Sequence, residues 1–185
     1  MIADFSSGDS IKLGNGAGDT VSANLNSTHD TIILGNGHSD TVNAYGPGPF
    51  GNSNTITLGA GASDTVNGDT SSYDTITLGN GAGDAVSANN SSDDTIALGD
   101  GNGDTVSASF DTFSPINLTY NNISLGNGHD DLVNANNSNS TRSLLATGPV
   151  TRCTPNLRRE LKSLSATGRA ISWMLLTTRR TASAP

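Results

Sequence analysis

Basic side chains are almost missing from the first three quarters of this chain. Residues 1–139 hold sixteen Asp, no Glu and one base, Lys12, a formal charge of −15. That imbalance excludes a salt-bridge network as the source of stability and opposes contact with phosphate backbones. Cysteine is absent from the same stretch, since the single cysteine is Cys153, so disulfides cannot staple it. Aromatic residues make up 4% of the chain and the recurring apolar residues are small, which excludes a conventional core of aromatic and leucine side chains. No apolar run is long enough to cross a bilayer. The start, M-I-A-D-F-S-S, lacks a basic segment followed by an apolar one, so neither a membrane anchor nor a cleaved signal peptide is expected.

The charge reverses near Asn139. Residues 140–185 hold eight Lys or Arg and one Glu, Glu160, a formal charge of +7, and Trp173 also lies there. A compositional break this sharp divides the chain into a repeat domain over 1–139 and a basic tail over 140–185.

Between residues 6 and 137 one string, D-T-I-x-L-G-N-G-x-x-D-T-V-x-A, recurs with variations about every twenty residues. Aligned copies place Ile at 11, 32, 56, 76, 96 and 123, and Leu two residues later at 13, 34, 58, 78, 98 and 125. Val follows ten residues after each Ile, at 21, 42, 66, 86, 106 and 133, and then Ala23, Ala44, Gly68, Ala88, Ala108 and Ala135. Spacing of two puts both apolar residues of I-x-L and of V-x-A on one face of a short strand, with Thr or Ser facing out. Such a strand cannot bury its own face, but stacked copies place Ile over Ile and Val over Val. The expected fold is therefore all-β, a parallel β-roll or β-helix solenoid of about six two-strand coils. The Ile-to-Val turn never changes length. The return turn does, carrying insertions at residues 45–53, with Pro47 and Pro49, and at 109–120.

An acid stands two residues ahead of each strand's first apolar position. The Val strands have Asp19, Asp40, Asp64, Asp84, Asp104 and Asp131; the Ile strands have Asp9, Asp30, Asn54, Asp74, Asp94 and Asn121, the two Asn following the two insertions. Stacking brings equivalent carboxylates about 5 Å apart, where unit charges repel by about 3 kcal/mol at an effective dielectric near 20. With one base in the region, a bound cation is the expected source of compensation. Oxygen-only ligands suit a hard ion, Ca²⁺ above Mg²⁺. The alternative is that each Asp caps its turn through backbone N–H groups.

G-N-G-A-G-D-T-V-S at residues 14–22 resembles the repeats-in-toxin nonapeptide G-G-x-G-x-D-x-U-x of the haemolysin-type calcium-binding β-roll family, and residues 35–43, 79–87, 99–107 and 126–134 are similar. The resemblance implies calcium between adjacent turns, held by Asp19, Asp40, Asp64, Asp84, Asp104 and Asp131 with backbone carbonyls of Gly14, Gly16, Gly35, Gly37, Gly79, Gly81, Gly99 and Gly101. A second set at the opposite turn would use Asp9, Asp30, Asp74 and Asp94. This chain departs from the family pattern at the second glycine, which is Asn15, Asn36, Asn80, Asn127, Ala60 or Asp100, and at the fourth position, which is often not glycine. The opposite half, such as A-N-N-S-S-D-D-T-I, keeps only the Asp and the strand. The resemblance also implies an extracellular or cell-surface protein exported without an N-terminal signal.

Other chemistries have less support. His29, His38 and His129 lie in turns without a common position, no Ser/His/Asp or Cys/His arrangement recurs, and no enzymatic activity is expected. The G-N-G strings are not nucleotide-binding loops, since no helix follows them. A metal-free structural or adhesive solenoid held by Asn and Thr ladders is the competing function. Thr55/Thr57 and Thr75/Thr77 resemble the Thr arrays of ice-binding solenoids, but the other coils break the pattern. The expected partners are calcium ions, with no nucleic acid and no membrane insertion; the exposed end coils invite end-to-end self-association.

The tail keeps the period but not the residues, repeating A-T-G at Ala146 and Ala166. A shifted reading frame, with synonymous codons allowed, lets residues 140–155 encode D-T-I-T-L-G-N-G-A-G-D-T-V-H-A, and residues 162–175 encode I-T-L-G-N-G-A-G-D-I-V-D-A. A frameshift near residues 138–139 is the expected origin, and a tail never selected to pack is expected to be disordered or marginally helical around residues 158–176.

Overall fold

The structure is a computed structural model that describes residues 1–136 apart from 3, 5, 6, 25, 26, 47–52 and 110–120, together with the strand backbones within 141–173. The Pro47/Pro49 insertion and nearly all of the 109–120 insertion lie outside the described residues.

Each I-x-L and V-x-A unit is a short strand, because its central apolar residue must face inward while the polar residues beside it stay wet. The Ile strands are β1 (Ser10–Lys12), β3 (Thr31–Ile33), β5 (Thr55–Thr57), β7 (Thr75–Thr77), β9 (Thr95–Ala97) and β11 (Asn121–Ser124). The Val strands alternate with them: β2 (Thr20–Ser22), β4 (Thr41–Asn43), β6 (Thr65–Asn67), β8 (Ala85–Ser87), β10 (Thr105–Ser107) and β12 (Asp131–Asn136). Odd strands pair only with odd and even with even, all parallel, so two sheets run side by side along one axis. This is a parallel β-solenoid.

Register is set by the repeat. Ile11 pairs with Ile32, Ile32 with Ile56, Ile56 with Ile76, Ile76 with Ile96 and Ile96 with Ile123. Val21, Val42, Val66, Val86, Val106 and Val133 pair likewise on the other sheet. Every one of these is at most 4% exposed, and they form one core with the Leu and Ala that follow them. Burying each such side chain is worth about 1.5–3 kcal/mol, and a slip of one residue would turn every one of them outward.

Beyond residue 139 the described backbones are strands, where disorder or a marginal helix around residues 158–176 is expected from the sequence; most of that span lies outside the described residues. β13 (Thr141–Ala146) and β15 (Leu164–Ala166) extend the odd sheet, and β14 (Thr151–Asn156) and β16 (Ile171–Trp173) extend the even one. Leu144 pairs with Ile123 and Cys153 with Val133. The physical reason is the open edge of β11 and β12, whose N–H and C=O groups accept any strand arriving with the period of twenty. Among the described residues no helix is long and apolar enough to cross a membrane.

Candidate metal-binding edge

The residue before each ladder acid turns the chain by adopting a left-handed backbone. Gly18, Gly83 and Gly103 do so at φ of 72 to 73°, and Ser39 and Ser63 at 61 and 63°. The turn aims the following Asp along the solenoid axis. The backbone N–H of Asp19 donates to Oδ1 of Asp40 at 2.9 Å, Asp40 to Asp64 at 2.9 Å, Asp64 to Asp84 at 3.0 Å, Asp84 to Asp104 at 3.0 Å and Asp104 to Asp131 at 3.0 Å. On the opposite turn Asp9 donates to Asp30, Asp30 to Asn54, Asn54 to Asp74, Asp74 to Asp94 and Asp94 to Asn121, at 2.8–3.1 Å. All twelve acids and asparagines named from the sequence thus fall into two columns, and the ten from Asp30 onward are at most 2% exposed.

The second carboxylate oxygen separates the columns. On the Ile side a serine stands three residues before the acid, and the hydroxyls of Ser27 and Ser91 donate to Oδ2 of Asp30 and Asp94. Ser71 holds the same place beside Asp74, where it offsets part of the effect of burial, although Ser71 Oγ and Asp74 Oδ2 do not meet at ordinary hydrogen-bond geometry. On the Val side that position is glycine throughout: Gly16, Gly37, Gly61, Gly81, Gly101 and Gly128. Oδ2 of Asp40, Asp64 and Asp84 is buried there without a hydrogen-bond partner.

Two findings lay outside the sequence reading. The serine was one, and its signal was present: the two acids replaced by Asn54 and Asn121 are the two preceded at that distance by Gly51 and Leu118 instead of Ser. The replacement tracks the missing hydroxyl as well as the neighbouring insertion. The other concerns histidine, because His38 and His129 do share a position, two residues before Asp40 and Asp131.

Burial dominates the protonation of these columns. It pushes the carboxyls of Asp74 and Asp84 up to about 6, against the opposing effect of the N–H groups they accept; Asp104 and Asp64 push Asp84 further up. Asp64, Asp104 and Asp131 are also raised, burial again being the main cause.

The glycines answer to stacking. A β-carbon on Gly37, Gly61, Gly81, Gly101 or Gly128 would stand 1.5–1.6 Å from the carbonyl oxygen of the preceding coil's glycine. The carbonyls of Gly14, Gly35, Gly79 and Gly99 already accept the N–H of the next coil's glycine at 3.0–3.1 Å. A third ladder lies outside them, running in the opposite sense: Asn15 Oδ1 accepts the N–H of Asn36, Asn36 Oδ1 that of Ala60, and Asn80 Oδ1 that of Asp100.

Among the described residues no group of three or more His, Cys, Asp or Glu side chains converges on one point. Each coil contributes one carboxylate to the Val-side column. The donor set still fits a hard cation, because its orphaned oxygens are buried carboxylate oxygens in vertical register. The rest of a shell of six to eight oxygens would be water and carbonyls outside the ladders. No protein-family model, curated protein or solved structure matches the chain.

Proposed function

We propose that the chain is a calcium-binding, non-catalytic repeat module of a larger secreted or surface protein. The carrying observation is the buried, unpartnered Oδ2 of Asp40, Asp64 and Asp84 on consecutive coils. An unpaired buried carboxylate oxygen costs several kcal/mol, and a divalent ion would relieve several at once. Calcium suits the all-oxygen surroundings, and extracellular modules bind it at about 10⁻⁴–10⁻³ M. The similarity of G-N-G-A-G-D-T-V-S to the repeats-in-toxin motif supports the same ion. The non-catalytic part rests on the sequence, where no nucleophile–base pairing recurs, and the open edges of the end coils are where copies would associate end to end.

One observation favours a second reading, a metal-free structural or adhesive solenoid. The acid, asparagine and glycine ladders already bind each coil to the next, and protonation of the raised carboxyls would supply what the ion supplies. Calcium titration at neutral pH followed by circular dichroism separates the two. The calcium reading expects thermal unfolding, followed in the β signal, to shift to higher temperature at millimolar calcium; a midpoint unchanged between chelator and calcium supports the metal-free solenoid.

A further inference from the structure

The two columns of acids share a backbone arrangement and differ in the residue three positions before the acid, serine on one side and glycine on the other. Behind Asp30 and Asp94 a serine hydroxyl occupies Oδ2, that of Ser91 at 2.6 Å, its one proton shared with the carbonyl of Ala88, also at 2.6 Å. Behind Asp40, Asp64 and Asp84 the corresponding residue has no side chain, and Oδ2 is buried against the turn without a hydrogen-bond partner: a β-carbon on Gly37 or Gly61 would come within 3.1 Å of it. Where the serine is missing on the Ile side, a neutral amide replaces the charge, as at Asn54 and Asn121. At Asp74 the Ser71 hydroxyl stands in the same place without meeting Oδ2, and the amide nitrogen of Asn54 is buried without a partner. On the Ile side Asp30, Asp74 and Asp94 are nevertheless each backed by a serine within the protein. The Val-side acids are not.

We infer that cation uptake is confined to one edge of the solenoid: divalent cations load along the glycine-backed Asp column, and the serine-backed column is closed to them. This rests on the calcium reading and deepens it by assigning the ions to Asp19, Asp40, Asp64, Asp84, Asp104 and Asp131 and withdrawing them from Asp9, Asp30, Asp74 and Asp94. Ligand competition is the mechanism. A cation approaching Asp94 must displace the Ser91 hydroxyl, whereas one approaching Asp84 has no hydroxyl donor to displace.

Titration calorimetry of the full chain with calcium chloride at neutral pH tests it, using two triple variants. D30N/D74N/D94N places asparagine where Asn54 and Asn121 already accept the same N–H, and Ser91 can accept from an amide as readily as it donates to a carboxylate. Its calcium stoichiometry is expected to equal that of the unaltered chain. D40N/D64N/D84N is expected to lose most of the uptake. If that variant does not fold, the first decides alone. A fall in stoichiometry in D30N/D74N/D94N overturns the one-edge assignment while leaving the calcium reading standing. An unaltered chain that takes up no calcium overturns both.

Discussion

A β-carbon on Gly37 would lie 1.6 Å from the carbonyl oxygen of Gly16, and that contact recurs at every G-N-G turn further along. The two backbones touch where a side chain would begin, so the spacing of the coils depends on glycine. Gly37→Ala and Gly81→Ala are each expected to destabilise the fold by more than about 2 kcal/mol, because backbone and not a flexible side chain must yield. Gly14→Ala, which meets nothing within 4 Å, is expected to be close to neutral. Denaturant midpoints compare them, and equal losses at Gly14 and Gly37 would contradict the stacked-turn geometry.

Left-handed residues offer gains in stability. Ser39 and Ser63 occupy φ of 61 and 63° where Gly18, Gly83 and Gly103 stand on other coils. A non-glycine residue there costs about 1–2 kcal/mol, part of which glycine returns as chain entropy. Ser39→Gly and Ser63→Gly are each expected to stabilise by up to about 1 kcal/mol. Thermal unfolding reads the shift, and lower melting temperatures would show that these serines contribute more than their backbone strain takes away.

The hydroxyl of Ser91 is the donor for Asp94. Ser91→Ala removes it and leaves buried oxygen less well served, at an expected cost of about 1–3 kcal/mol. Ser91→Ala combined with Asp94→Asn mimics the Asn121 arrangement and is expected to recover part of that loss. A double-mutant cycle measures the coupling, and strictly additive effects would contradict the pairing.

The core ladders were legible because Ile11 and Val21 repeat at invariant spacing, and period-two alternation leaves one choice of face. The columns of acids were legible for the same reason. What the acids do with their oxygens was not, since the N–H that Asp40 donates to Asp64 depends on the left-handed turn at Ser39, which nothing in the serine's identity announces. The role of Ser27 and Ser91 was recoverable from Asn54 and Asn121, where the acid is lost together with the serine three residues before it. The strands β13 to β16 were not legible because Leu144 and Cys153 keep the period without the apolar alternation.

Protonation gives the metal-free protein a distinctive pH dependence. The carboxyls of Asp74 and Asp84 are raised to about 6 in the fold from an ordinary value of 3.8, so folding favours the protonated form. Their contribution is fully present below about pH 4 and is lost as pH rises through about 6. In chelator, the unfolding free energy is expected to fall across that window by a few kcal/mol, and less steeply in Asp84→Asn. Stability that instead rises over the same range would contradict neutral buried carboxyls.

The most direct test follows the carboxyl carbons themselves. In the full chain labelled with ¹³C at aspartate, calcium added at neutral pH is predicted to move the side-chain carboxyl resonances of Asp40, Asp64 and Asp84 while those of Asp30 and Asp94 stay in place. Carboxyl resonances of Asp40, Asp64 and Asp84 that do not respond to millimolar calcium would contradict the account.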